Sequence, residues 1–340
     1  MSAESALREL ISNLVATVGA VAGAGEVPEL WLEMVKLGLD VVGVPEASGG
    51  ADGSIEDLAQ LSEALGQNGI GVPLIQASTA NWVLSEAGEQ VNAGVLAAVA
   101  FTDSTLNIEG RLSARVGPVP WARSAENVIV YTASGSPICY RIGDPGVSVE
   151  PGVNLAGEQS DAVVFTAAAG QVLAHAPTAG AVLARLGVLW SAALLGAIRG
   201  AYELTRNYVR TREQFGAPLV KIPAVAAGLA SIRTQLLQAE ASVYRAVEIY
   251  SIGPSEHAAL PAAAIARTVC ATAATETARL THQLHGAMGI TAEYPLHRFT
   301  TKLWAWRDAA SSESEWAKLI GDITLERGER ALWDELTATA

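Results

Sequence analysis

The sequence predicts an α+β multidomain protein in which two helical domains flank a small central β domain. Amphipathic spacing indicates helices in the N-terminal part, and short valine-rich segments indicate strands in the middle of the chain. Long apolar-faced segments with short connections then indicate a C-terminal antiparallel four-helix bundle. The predicted domains are an N-terminal helical domain at 1–92, a shortened β-barrel or sheet domain at 93–177, and the helical bundle at 178–340.

The composition indicates a folded cytoplasmic protein. Half of the 340 residues are hydrophobic, 17% are charged and the net charge is −13, so a core is available and polyanionic partners are disfavoured. We therefore expect no nucleic acid partner. Two cysteines, Cys139 and Cys270, are too few for a disulfide framework and fit a reducing compartment. The apolar run at 186–198 is too short to span a bilayer, so we expect a buried helix and no membrane span.

The N-terminal helices are clearest in "SIEDLAQLSEALG". This stretch begins with Ser54 as an N-cap, places apolar residues at helical spacing and is expected to end at Gly66. A glycine-rich loop, "ASGGADG", precedes it.

The central strands are predicted from short segments separated by Gly, Pro and Ser. The four segments are "NVIVYTA", "VSVEP", "DAVVFTAA" and "QVLAHA". The β domain is expected to end near Pro177.

The C-terminal helices are predicted at 181–213, 225–250 and 261–285. "GPS" after Ile252 and "HGAMG" after Leu284 mark the ends of two of these helices. Short connections between long helices favour antiparallel neighbours.

Two stretches in this half carry an unusual pattern. "RTREQFGAPL" ends a long helix with cations, a glycine and a proline, which are ordinary helix-terminating features, but it also places Phe215 at the chain reversal. "QLHGAMGITAEYPLHR" reads as a second glycine-capped helix end. The small residues Gly286 and Ala287 would allow the backbone to approach a flat or anionic ligand.

Together these stretches resemble the signatures of the acyl-CoA dehydrogenase family, and "LGLDVVGVPEASGGADGSIEDLAQLSEALG" resembles the first domain of that family. The resemblance covers most of the chain and implies the cofactor FAD. It also implies that six residues contact the flavin cofactor of a neighbouring subunit: Arg212, Gln214, Phe215, Gln283, Gly286 and Ala287. An arginine fork suits a pyrophosphate, and an aromatic side chain can pack on a ring system.

The resemblance also implies a reaction that this chain is poorly equipped to perform. Family members remove two hydrogens from an acyl-CoA thioester, and a glutamate takes the α proton while the flavin accepts the β hydride. Ungapped counting places that glutamate at Ala310. In a second family variant it falls near Leu186, beside Arg185 and Gly187. None of these side chains accepts a proton at neutral pH, so no catalytic residue is expected at either position.

Three carboxylates near Ala310 remain as weak candidates for a displaced base. Glu313 leads, followed by Glu315, and Asp308 lies just before the alanine. The alternative interpretation is that all three are solvated acids near a helix start, where the helix dipole favours them.

The sequence departs from the family pattern at two further places. One is the loop by which a family member holds its own flavin, and the other is a glutamine after the arginine motif. "FTDSTLNIEG" lacks the usual glycines, and Pro223 replaces the glutamine. The chain keeps the residues that would contact the flavin of a neighbouring subunit and lacks the residues that would build a flavin and substrate site of its own. In this it resembles the non-catalytic subunit of actinobacterial heteromeric acyl-CoA dehydrogenases. That resemblance implies a full-length acyl-CoA dehydrogenase partner in a heterotetramer, a shared FAD, and acyl-CoA bound through the partner, with sterol side-chain thioesters as a candidate substrate class.

Two alternative functions remain open at this point. One is a self-sufficient dehydrogenase that uses Glu313 or Glu315, and the other is a flavin-free helical scaffold. His282 and His285 share a helix face, but no acidic or cysteine partner accompanies them at metal-ligand spacing, so no metal site is expected.

Overall fold

The computed structural model describes residues 3–19, 23–133, 135–253 and 256–337. The N-terminal helices are α1 (Ala3–Val18), α2 (Glu29–Lys36), α3 (Ile55–Gln67) and α4 (Leu74–Glu86). The strands after them are β1 (Ala97–Phe101), β2 (Leu112–Pro120), β3 (Asn127–Tyr131), β4 (Ile138–Arg141), β5 (Val147–Glu150), β6 (Ser160–Ala168) and β7 (Gln171–Val172). The rest comprises α5 (Ala179–Thr211), β8 (Glu213–Gln214), β9 (Ala217–Pro218), α6 (Pro223–Ile252), α7 (Glu256–His285), α8 (His297–Arg307), α9 (Glu313–Arg327) and α10 (Glu329–Thr337). This order confirms the predicted fold class of helices, central sheets and a C-terminal helical domain.

The predicted N-cap of α3 is present. The hydroxyl of Ser54 accepts a hydrogen bond from the backbone N–H of Asp57 at 3.2 Å. The Asp57 carboxylate accepts one in return from the Ser54 N–H at 2.8 Å. This reciprocal pair satisfies N–H groups that have no partner within the helix, so the helix begins where the sequence predicts. It ends one residue beyond Gly66.

The central strands form two sheets rather than a closed barrel in the part of the chain that the structure describes. One sheet has the order β1-β3-β4-β7 and the other β2-β6-β5. Within these two sheets, only the β1–β3 pairing is parallel. The four predicted segments all contain strands, whereas β1, β2 and β4 were not predicted. β1 is alanine-rich and β2 contains Gly117 and Pro118, which weakens the local strand signal of both.

The C-terminal helical domain has six helices among its described residues instead of the four expected. The three long predicted segments correspond to α5, α6 and α7, and each helix bound lies within five residues of its prediction. The three shorter helices α8, α9 and α10 make up the remainder. In the "GPS" segment, Pro254 and Ser255 lie outside the described residues, and α6 ends just before it at Ile252. "HGAMG" begins a 3₁₀ turn at Gly286–Ile290.

Two helical stretches, Ala179–Thr211 and His257–Ile290, are long and apolar enough to cross a membrane by length and composition alone. Their most apolar windows are 94% and 67% buried inside the protein. A helix that is apolar on most sides can equally be the core helix of a globular protein. Burial of these windows supports that second role for both stretches.

Residue contacts divide the chain into two units. The helical unit consists of Met1–Asn13, Ala59–Ile70 and Leu183–Ala340, and the sheet-containing unit consists of Leu14–Leu58 and Gly71–Val182. The three-domain division at 1–92, 93–177 and 178–340 stays a prediction. Within the helical unit, one buried apolar cluster joins α5, α6 and α7 through Val209, Ile232, Leu280 and Leu284. This cluster holds together the helix ends that carry the family motifs.

Candidate functional site

A cavity of about 410 Å³ lies in the helical unit, between the end of α5, the β8–β9 hairpin, the start of α6 and the end of α7. Five of the six residues expected to contact a cofactor line it, namely Arg212, Gln214, Gln283, Gly286 and Ala287. The other lining residues are Tyr208, Leu219, Ala224, Val225, Leu284, His285 and Met288. Two sequence motifs that are far apart in the chain therefore meet at one cavity.

The first wall is built by the chain reversal at the end of α5. Glu213–Gln214 pairs antiparallel with Ala217–Pro218. The two residues between them, Phe215 and Gly216, have φ values of +55° and +80°. Positive φ at both central residues is the conformation that closes a tight two-residue hairpin. The Leu219 N–H donates to the Arg212 carbonyl at 2.8 Å. These bonds fix the backbone from which the Arg212 side chain extends.

Phe215 occupies the tip of this hairpin and does not line the cavity. Its side chain is 93% exposed. A non-glycine residue in the left-handed region carries a conformational cost, and an exposed aromatic ring gains nothing from burial to offset it. The sequence did not predict that the ring would project away from the cavity. The aromatic side chain is therefore accessible to another molecule.

The second wall is the end of α7 and the 3₁₀ turn after it. Gly286 has a φ of +57°, and a Cβ added there would meet no atom within 4 Å. The glycine is thus required by the backbone conformation, and the open space beside it leaves room for a ligand to approach the backbone. Ala287 follows it in the cavity wall.

Two of the lining residues, Tyr208 and His285, belong to an aromatic cluster. The ring of His285 stacks on Tyr208 with centroids 4.3 Å apart, and it packs against Tyr294 at 4.9 Å. The Nδ1 of His285 is 2.8 Å from the Thr281 carbonyl, so this nitrogen carries the proton and donates. The Nε2 is then the acceptor for the Tyr294 hydroxyl at 3.3 Å. Sequence patterns do not reveal this cluster, because Tyr208 on α5 is far along the chain from the stretch that contains His285 and Tyr294.

The electrostatics of the cavity are dominated by Arg212. This side chain is exposed, and its guanidinium forms no hydrogen bond or salt bridge within the described residues. By contrast, the nearby Arg279 is paired with Glu276 at 2.9 Å and donates to Gln283 at 3.4 Å. A free guanidinium beside apolar and aromatic walls can bind an anionic group attached to a ring system.

Burial lowers the pKa of His285 below its ordinary value of 6.5, and nearby His282 adds a smaller effect in the same direction. The hydrogen bond to Thr281 opposes this shift. The unfolded chain therefore binds a proton more readily than the folded chain as the pH falls below about 6.5. We expect the free energy of unfolding to decrease over that range for the wild type and to depend less on pH in His285→Gln.

Urea denaturation of the chain at several pH values between about 7 and 5 measures this dependence. His297→Gln is the matched control, since His297 is exposed and its ring bonds to the Tyr294 carbonyl of its own turn. Equal pH slopes in the wild type and His285→Gln would contradict the prediction.

The two positions where the family pattern places a catalytic base lie in different surroundings. Ala310 is exposed in the turn between α8 and α9, with a φ of +65°. Leu186 is only 2% exposed within α5, and its neighbours Arg185 and Gly187 are also buried. Neither position has a carboxylate of its own.

The three nearby acids are engaged in local structure. Glu313 is the first residue of α9 and accepts a hydrogen bond from the Thr272 hydroxyl at 3.2 Å. Glu315 forms a capping box with Ser312, and hydrogen bonds from the Ser312 backbone and hydroxyl hold the pKa of that carboxyl below its ordinary value. Asp308 pairs with the adjacent Arg307 at 2.8 Å.

The two histidines considered as metal ligands also have other partners. His282 lies 3.1 Å from the Thr300 hydroxyl, and His285 is bonded within the aromatic cluster. Across the described ranges, no group of three or more His, Cys, Asp or Glu side chains converges as a metal site would require.

The chain matches two family models. The model of the acyl-CoA dehydrogenase N-terminal domain covers residues 2–96, and that of the acyl-CoA dehydrogenase C-terminal domain covers residues 179–307. The second match contains both walls of the cavity. The strands between the two matched ranges, where the sequence departs most from the family pattern, lie outside both models.

Known proteins agree with these matches. The chain is 27% identical over 297 residues to the acyl-CoA dehydrogenase FadE28 of Mycobacterium tuberculosis, covering 79% of this chain and 84% of the relative. Among solved structures, a variant of the Tcur3481–Tcur3483 steroid acyl-CoA dehydrogenase superposes with a TM-score of 0.84 at 22% identity, over 95% of this chain and 98% of that one. A chain of the ChsE4–ChsE5 complex from Mycobacterium tuberculosis gives 0.82 at 20% identity, over 96% and 98%. With both terminal domains matched and the fold shared along nearly its whole length, the chain belongs to the acyl-CoA dehydrogenase family.

Proposed function

We propose that this chain is the non-catalytic subunit of an FAD-dependent, hetero-oligomeric acyl-CoA dehydrogenase in the cytoplasm. The observation that carries the proposal is an asymmetry within one unit of the protein. Cofactor-type residues converge on a cavity, with a free cation at Arg212 among the described residues, whereas Ala310 and Leu186 leave both base positions without a carboxylate. The chain completes the FAD site of a catalytic partner and leaves proton abstraction to that partner.

The residues at the cavity fit part of an FAD molecule. The cavity volume of about 410 Å³ lies in the ordinary range of ligand pockets. The Arg212 fork matches a pyrophosphate in geometry and charge, and the aliphatic and aromatic walls match a ring. Phe215 projects from the hairpin tip, where it can reach a cofactor or a surface of a second chain. When bound, FAD supplies the hydride acceptor of the family reaction.

The comparisons support a two-chain assembly. The ChsE4–ChsE5 structure is described as a complex. The Tcur3481–Tcur3483 structure carries two names and is described as a steroid acyl-CoA dehydrogenase. We extend both properties to this chain as a proposal. The partner is a full-length acyl-CoA dehydrogenase, the assembly is a heterotetramer, and the substrate is a steroid-derived acyl-CoA thioester bound through the partner.

Co-expression with a full-length family member encoded by a neighbouring reading frame tests the proposal. We expect a complex that absorbs in the flavin region and oxidises an acyl-CoA thioester. The chain purified alone should be colourless and inactive. Stoichiometric FAD together with acyl-CoA oxidation by the lone chain would refute the proposal that a partner subunit performs the catalysis. A complex that forms without any flavin would instead favour a flavin-free helical scaffold.

A self-sufficient dehydrogenase with a displaced base is the second candidate, because Glu313 and Glu315 lie within five residues of Ala310. Both carboxylates are engaged in contacts at the start of α9. We therefore expect Glu313→Gln and Glu315→Gln to leave the turnover of the complex within about twofold of the wild type, whereas loss of a true general base would lower it by about 100-fold or more.

The substitutions are chosen to keep the local structure. Glutamine is accepted in a capping box and still accepts a hydrogen bond from a hydroxyl, so the start of α9 is preserved in both variants. Steady-state kinetics of the complex, with FAD content measured on the same samples, gives the result. A rate lower by about 100-fold in either variant, at unchanged FAD content, would identify that glutamate as the base.

A further inference from the structure

The turn between α8 and α9 is held from beneath by a buried arginine of α7. Arg267 is fully buried, and its Nη2 donates to three backbone carbonyls at the end of α8 and just beyond it. The distances are 2.9 Å to Trp306, 2.7 Å to Arg307 and 3.1 Å to Ala309. These carbonyls immediately precede Ala310, the first of the two expected base positions.

The partners of this cation are unusual for a buried charge. Arg267 forms no salt bridge within the described part of the chain, and its Nε and Nη1 have no hydrogen-bond partner there. The last carbonyls of a helix lack partners within the helix and carry partial negative charge, so they can compensate a cation. Burial lowers the pKa of Arg267 to about 10, which still leaves the guanidinium charged at neutral pH.

Two further contacts fasten the same turn to α7. The Thr272 hydroxyl donates to Glu313 at 3.2 Å, and the Arg307 side chain donates to the Thr275 hydroxyl at 3.4 Å. Both threonines lie beyond Arg267 on the same helix. The turn is therefore attached to α7 before Ala310, through the three carbonyls, and after it, through Glu313. This double attachment holds Ala310 in its left-handed conformation.

Gly187, the residue after the second expected base position Leu186, faces the same cluster. A Cβ added to Gly187 would lie 3.0 Å from the Cβ of Ala263, 3.1 Å from the ring of Trp316 and 3.6 Å from the Cγ of Arg267. The two shortest of these contacts are tighter than ordinary side-chain packing allows. Trp316 is itself only 1% exposed. The space beside Gly187 is thus filled by the arginine and the tryptophan, with no room for a carboxylate.

We propose that Arg267 is a positioning residue that clamps the α8–α9 turn, residues 308–312, onto α7. The clamp holds this turn against α7 and fixes Glu313 and Glu315 at the start of α9. The inference goes beyond the proposed function, because it depends on neither FAD nor a partner. It assigns a structural role to the region in which the family pattern places proton transfer.

Amide hydrogen exchange of the full chain tests the clamp. Arg267→Met removes the charge and the donors while keeping a long side chain, and Arg267→Lys keeps the charge and some donors. Cys270→Ala is the matched control, since Cys270 is equally buried on the same helix and its thiol donates to the Ser191 carbonyl on α5. We expect exchange at 308–312 to rise about tenfold in Arg267→Met relative to Cys270→Ala, with Arg267→Lys between them.

The comparison with the control separates a local clamp from general destabilisation. Equal exchange at 308–312 in Arg267→Met and Cys270→Ala would overturn the proposal. If Arg267→Met does not fold, Arg267→Lys decides, and wild-type exchange at the turn in that variant would also overturn the proposal. FAD titration of the complex is a separate measurement, because Arg267 does not line the cavity. A change in exchange without a change in FAD affinity therefore supports the clamp whether or not the proposed function holds.

Discussion

An Arg212→Ala variant, assembled with a catalytic partner, is expected to bind FAD about 50-fold more weakly than the wild-type complex. A hydrogen-bonded guanidinium–phosphate contact typically contributes about 1.5–3 kcal/mol, which corresponds to roughly 10- to 150-fold in affinity. Arg212 is the cation of the cavity that has no other partner among the described residues, so the truncation exposes no buried carboxylate. Flavin titration at fixed ionic strength, followed by fluorescence, measures the loss.

Two control variants separate charge from geometry. Arg212→Lys keeps the charge but loses the planar fork, so its affinity should fall between those of the wild type and Arg212→Ala. Arg210→Ala removes another exposed arginine near the same helix end that does not line the cavity, and it should leave FAD affinity within about twofold. Similar affinities for Arg210→Ala and Arg212→Ala would show that the cavity does not bind the phosphates.

A Glu63→Ala variant is expected to lower the free energy of unfolding of the helical unit by about 3 kcal/mol. The Glu63 side chain on α3 is 3% exposed, and its two oxygens pair with Arg8 of α1 at 3.2 Å and Arg199 of α5 at 2.8 Å. Removing one partner of a buried ion pair leaves the other charge buried and uncompensated, which costs about 3–5 kcal/mol. We take the lower end because Arg199 also pairs with Glu240 at 2.8 Å.

Thermal denaturation followed by circular dichroism should show a fall in Tm of roughly 5–10 °C. Glu240→Ala is the control, because that carboxylate is more exposed and binds a different nitrogen of the same Arg199. Glu240→Ala should lower the free energy of unfolding by about 1 kcal/mol or less. Equal losses of unfolding free energy in the two variants would contradict the prediction, because they would show that the burial of Glu63 does not strengthen its ion pairs.

The long helices were predictable because their signal is local. The apolar periodicity of α5, α6 and α7 runs the length of each helix, and the predicted bounds lie close to the observed ones. Strands β1, β2 and β4 were missed because a strand with a weak local signal is stabilised by its cross-strand neighbours more than by its own residues. β1, for example, is an alanine-rich segment that becomes a strand by pairing in parallel with Asn127–Tyr131.

The candidate site was predictable in its residues and not in its arrangement. The motifs supplied Arg212, Gln214 and Gln283, and the structure brings these side chains to one cavity. The outward direction of Phe215 depends on the two positive φ values of the hairpin, which a sequence pattern does not specify. The packing of His285 against two tyrosines was equally hidden, because Tyr208 on α5 is far along the chain from the stretch that contains His285 and Tyr294.

Residue identity and local periodicity are enough to establish that this chain has the helices and motifs of its family and that neither expected base position carries a carboxylate. Both properties can be read along the chain without any knowledge of distant contacts. The role of the buried cation Arg267, which fastens the turn around Ala310, emerges only from the folded molecule, because its hydrogen bonds join α7 to residues 39 to 42 positions further along the chain. Such contacts depend on how the helices pack, and no short stretch of sequence encodes that packing.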